Sequence, residues 1–63
     1  MSWYNKNKLK DLDIIFNGSQ EIEGKIVGDI FTDNKTKSSF FVRNGGDIEQ
    51  ALRKIREKFH ELV

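Results

Sequence analysis

The chain has 63 residues and a net charge of +1, with one histidine and neither cysteine nor proline. That composition excludes a disulfide scaffold and a thiolate zinc site. A pI of about 8.0 also sits below the value above about 9 typical of nucleic-acid-binding domains.

Residues 1–9 read as a basic N-terminal segment carrying Trp3, Tyr4, Lys6 and Lys8. Charge then runs in blocks: residues 1–10 are basic, 11–33 acidic, 34–43 basic again, and the remainder balances. Residues 10–43 read as a three-stranded antiparallel sheet. In the first strand Leu12, Ile14 and Phe16 alternate with Asp11, Asp13 and Ile15, the period of a half-buried strand. Asn17-Gly18 follows at once and predicts a hairpin turn, because both residues accept positive φ. The second strand, from about Glu21 to Phe31, places Ile22, Gly24, Ile26, Gly28 and Ile30 on one face. Val27, Asp29 and Phe31 fall on the other. The turn Asp33–Thr36 leads to the third strand, Lys37–Arg43, where Phe40 and Val42 oppose Phe41 and Arg43.

Gly45-Gly46 end the sheet, and Asp47 with Gln50 three residues on has the spacing of a capping box. Ile48, Ala51, Leu52, Ile55, Phe59 and Leu62 share one helical face, which predicts a helix over 47–62. Glu49 stands four residues before Arg53, the favourable order for a helical ion pair. The whole is an α+β domain, a β-β-β-α meander covered on one face by its C-terminal helix. Leu12, Ile14, Phe16, Ile22, Ile26, Ile30, Phe40 and Val42 are expected beneath that helix, with Gly24 and Gly28 admitting bulky neighbours. In outline this architecture resembles the arm-type DNA-binding domains of phage and transposon integrases, which implies contact with DNA through the sheet.

The second sheet face is then not wholly polar, since Ile15, Val27, Phe31 and Phe41 project from it. Such a patch marks a binding surface, unless Trp3 and Tyr4 fold back to cover it. Chains this short usually need a disulfide, a metal or a second copy for stability. With the first two excluded, a homodimer through Ile15, Val27, Phe31 and Phe41 is expected, together with binding to another protein. An alternative partner is nucleic acid, contacted by a basic strip of Lys6, Lys8, Lys10, Lys35, Lys37 and Arg43. The unblunted Phe40-Phe41-Val42 of the third strand also leaves an edge open to β-augmentation.

Catalysis is not expected. His60 has no recognisable nucleophile beside it. Asp11/Asp13 and Glu21/Glu23 lack the glycine-punctuated loop of a calcium site, and a ligand pocket of about 300 Å³ or more would hollow out so small a core. No metal or cofactor is therefore expected. The sequons at Asn17 and Asn34 fall on turn residues and read as turn chemistry. No apolar run approaches the roughly 20 residues of a membrane-spanning helix, and MSWYNKNK lacks the apolar stretch of a signal peptide. Together with the lack of cysteine, this predicts a cytoplasmic setting. A small cysteine-free chain rich in Lys, Asn and Ile resembles the regulatory or inhibitory proteins of phages and mobile elements, which implies a non-enzymatic role exerted on a partner protein.

Overall fold

The structure, a computed structural model, describes the backbone of residues 3–62 and the side chains of residues 3–59. Three antiparallel strands form one sheet in the order β1 (Ile14–Ile22), β2 (Lys25–Asp33), β3 (Ser39–Arg43), followed by a C-terminal helix. This is the expected α+β meander. A short helix, α1 (Lys6–Leu12), precedes it and was not expected; the C-terminal helix is therefore α2 (Ile48–Leu62). The side chain of His60, for which no catalytic partner is expected, lies outside the described residues. No helix among the described residues is long and apolar enough to cross a membrane.

Helix α1 displaces what reads locally as the start of a strand. The Asn5 side chain accepts a hydrogen bond from the Asn7 N–H at 2.8 Å, capping the helix start. Asp13 ends it in the left-handed conformation, φ 59°, with its N–H returned to the carbonyls of Leu9 and Lys10. Leu9 and Leu12, three apart, then share the inward face. Leu9 joins the buried core and Leu12 packs against it.

The hairpin turn is also elsewhere. Glu23 and Gly24 carry it, both at positive φ (51° and 82°), between the paired residues Ile22 and Lys25. Two residues at positive φ make the tight turn that suits the twist of a hairpin. Asn17-Gly18 instead lies inside β1, where the register shifts between Phe16 and Ser19 and two residues of β1 face one of β2. A second shift puts Val27 as the extra residue of β2. Moving the turn reverses the phase of β2, since a one-residue change of register exchanges the faces of a strand. Phe16, Phe31 and Phe40 are now registered side by side across the sheet, and Phe31 is 0% exposed.

The core thus comprises Leu9, Ile14, Phe31, Phe40, Val42, Ile48 and Leu52, with Trp3, Tyr4, Leu12, Ala51 and Ile55 packed against it. Of the residues expected beneath the helix, Ile22 and Ile26 are exposed at 56% and 55%, and Phe16 is also largely open. Gly24 belongs to the turn, and Gly28 lies on the face away from the helices. Helix α2 follows its pattern as far as Ile55; Phe59 on the same face is exposed, and the Leu62 side chain lies outside the described residues. Asp47 Oδ1 accepts from the Gln50 N–H at 3.1 Å, and Ile48 and Leu52 are buried against the sheet while Ala51 and Ile55 pack at its margin. Glu49 does not pair along its own helix; it reaches Lys8 of α1 at 3.0 Å. Both helices and the N-terminal aromatic residues therefore cover the same face of the sheet.

Candidate binding surfaces

The opposite face is bare. Trp3 and Tyr4 do not cover it: they pack edge-to-face with each other (centroids 5.1 Å apart), and Tyr4 does so with Phe31 (5.2 Å), on the helix side. The strand register puts Ile15, Ile22, Ile30 and Phe41 on the outer face, with Ile15 51% and Phe41 48% exposed. Of the four residues expected there, two depart. Phe31 is in the core, so it is no contact residue. Val27 is half-buried at the β2 bulge, where its carbonyl accepts from the Asn44 N–H at 2.9 Å. Alternation alone places Ile22 and Ile30 inside; the turn at Glu23-Gly24 makes Ile22 the last residue of β1 and reverses the phase of β2, which brings both to the outer face.

Phe41 is set low on this face. A Cβ on Gly28 would come within 2.6 Å of the Phe41 ring and collide with the Val42 carbonyl oxygen. Glycine is what lets the ring lie down on the strand. The polar residues of the face are Gln20, Thr32 and Ser39, the last two joined through their hydroxyls at 3.0 Å. Its charges are Lys25 and Arg43; the sheet carboxylates Asp29 and Asp33 point to the helix side.

The six residues of the basic strip are not brought together. Lys6, Lys8 and Lys10 sit on α1, on the helix side of the sheet, and Lys8 is engaged with Glu49. Lys35 and Lys37 occupy the β2–β3 turn, and Arg43 lies on the outer face.

On the helix side two carboxylates of β2 are buried. Asp33, 0% exposed, receives Arg56 of α2 in bidentate fashion (Nε to Oδ2 3.1 Å, Nη2 to Oδ1 3.0 Å). It also accepts from the Lys35 N–H at 3.0 Å and the Thr36 hydroxyl at 3.1 Å. Arg56 Nη2 donates further to the Leu12 carbonyl at 2.9 Å. The pair thereby ties α2, the end of α1 and the β2–β3 turn together. The Arg56 guanidinium holds the Asp33 carboxyl at a pKa of about 2, against the opposing effect of burial.

Asp29, 7% exposed, is placed otherwise. It is registered opposite Ser19 of β1 and accepts from its hydroxyl at 2.9 Å. It forms no ion pair among the described residues. It lies in a cleft of about 930 Å³ where α1 and the N-terminal segment leave the β1–β2 hairpin uncovered. Trp3 and Tyr4 form one side, Lys6 and Leu9 of α1 the next, and Phe16 and Ile26 line it from the hairpin. Ile26 faces this side because the Val27 bulge turns it there. Burial, and then the charge and hydrogen bonding of Asp29, push the Tyr4 phenol above its ordinary pKa. The Trp3 indole nitrogen is buried without an acceptor among the described residues. The core is not hollowed out by this cleft. The cleft lies beside the core rather than inside it, and α1 makes its wall.

No family model matches the chain, and no curated protein or solved structure gives a match.

Proposed function

We propose that the protein is a non-enzymatic binding module whose outer sheet face takes an acidic, apolar segment of another protein, and that it regulates or blocks that partner by occupying it. The observation that carries this reading is the chemistry of the face. It presents Ile15, Ile22, Ile30 and Phe41 beside Lys25 and Arg43, with no carboxylate among its strand residues. An exposed apolar patch rimmed by charge of one sign fits a partner of the opposite sign.

A second copy is a poorer occupant. Two such faces would bring Lys25 and Arg43 of each copy to one seam with no carboxylate of the face to receive them. The need for a dimer is also reduced, because Trp3, Tyr4, Leu9 and Leu12 enlarge the core beyond sheet and C-terminal helix. Single-stranded nucleic acid would use Phe41 and Arg43, but stacking platforms align several aromatic residues, and the other exposed apolar side chains of this face are isoleucines.

The test is an amide-shift titration with a peptide of alternating Glu and Leu, beside an oligo(dT) titration and the solution mass by light scattering. The expected result is peptide binding that perturbs Ile15, Ile30 and Phe41, is lost in Phe41→Asp and weakens about tenfold or more in Arg43→Glu. Binding to oligo(dT) with a log–log salt slope near −0.7 per phosphate would replace this reading with nucleic-acid binding. A wild-type dimer that Phe41→Asp converts to a folded monomer would replace it with self-association.

A further inference from the structure

We infer that the cleft between the N-terminal aromatic residues and the β1–β2 hairpin is a second binding site, which takes an organic ammonium cation against the Asp29 carboxylate.

A carboxylate removed from water is costly unless it is paired, and the structure shows two solutions on one strand. Asp33 is neutralised by a bidentate arginine. Asp29 is nearly as deeply buried, yet its one side-chain donor is the neutral Ser19 hydroxyl. Its negative charge therefore remains available to the cleft. Around it stand Trp3, Tyr4 and Phe16, and the Trp3 and Tyr4 planes are 84° apart. Aromatic walls set at an angle attract a cation through the negative faces of the rings, most strongly when the cation is weakly hydrated, as an alkylated ammonium is. Leu9 and Ile26 supply apolar surface for the alkyl groups.

Lys6 also lines this cleft and carries the opposing charge. Its ammonium is not within ion-pair distance of Asp29, since the described ion pairs are Lys8–Glu49 and Arg56–Asp33. It is exposed, so it stays in water while the ligand cation goes to the carboxylate. Removing the charge of Lys6 should therefore strengthen binding, whereas removing that of Asp29 should abolish it.

The experiment uses the chain's single tryptophan, Trp3. Its fluorescence is followed during titration with choline, with a peptide bearing trimethyl-lysine, and with 3,3-dimethylbutanol as the neutral isostere of choline. The expected result is a saturable change with a cationic probe and binding of the isostere about tenfold weaker or less. If choline and the peptide bind alike, the ammonium group itself is recognised; preference for the peptide assigns the source to a modified protein. Asp29→Asn, which keeps an oxygen for the Ser19 hydroxyl, should remove the preference for cation over isostere, and Lys6→Met should tighten cation binding. Phe16→Leu, at a half-exposed position that the fold tolerates, should weaken the cation more than the isostere. Equal binding of choline and its isostere, an unchanged preference in Asp29→Asn, or no saturable response to either cation would each overturn the assignment.

Discussion

Asp29 and Asp33 lie four residues apart on one strand, face the same way and are both buried, but their surroundings are opposite. Asp33 has every oxygen engaged and a guanidinium in contact. Asp29 has one hydroxyl donor and an open cleft in front of it. The difference separates a charge that closes a structure from one left for use. At the Asp33 end, α2, α1 and the β2–β3 turn converge and exclude water. At the Asp29 end the helices stop short of the hairpin. Buried charge alone therefore does not indicate function; an uncompensated buried charge facing open space does.

The sharpest way to break this comparison is to remove the closed pair. Asp33→Ala leaves Arg56 largely buried with no counter-charge and should cost about 3–5 kcal/mol in a urea melt, enough to unfold much of a domain this small. A loss below about 1 kcal/mol would show that Asp33 is no more structural than Asp29.

Acid should dissect the same pair. The folded-state pKa of Asp33, about 2, lies below its ordinary 3.8. Its contribution is therefore complete above about pH 5 and is lost as the pH falls through 2, with an amplitude of about 2 kcal/mol. Denaturation midpoints of wild type between pH 5 and 2 should show this decline, and Asp33→Asn should lack it.

A smaller change tests whether α2 is held by its cap as well as by Arg56. Asp47→Ala removes the acceptor of the Gln50 N–H and should cost about 1 kcal/mol, leaving the acid transition of Asp33 in place. Asp29→Asn should have the smallest effect, within about 0.5 kcal/mol, because the Ser19 bond survives and an unpaired charge is relieved. A loss comparable to that of Asp33→Ala would place Asp29 in the scaffold and remove the contrast.

Much of this molecule was legible in local pattern. The steps of three and four from Ile48 to Ile55, with Asp47 at their head, define α2. The alternation around Ile14, Ile30 and Phe40 marks three strands, and the short connections between them require an antiparallel meander. Ile15 and Phe41 were legible as outward positions for the same reason. The cleft had only a faint signal: Asn5 as a cap and Leu9 with Leu12 at helical spacing. A seven-residue helix is marginal by itself, so α1 exists because its leucines find the sheet.

What only the tertiary structure decided was the phase of β2. Either phase offers apolar side chains, Ile26 and Ile30 on one side and Val27 and Phe31 on the other. The second also carries Asp29 and Asp33, which reads locally as the solvent side. The buried phase was chosen by partners remote in sequence. Arg56, 23 residues away, neutralises Asp33, and Phe40 takes its place beside Phe31. Two bulges in the β1–β2 ladder and a turn at Glu23-Gly24 then accommodate that choice. Periodicity records how polar each residue is, whereas burial depends on whether the fold brings that polarity a partner.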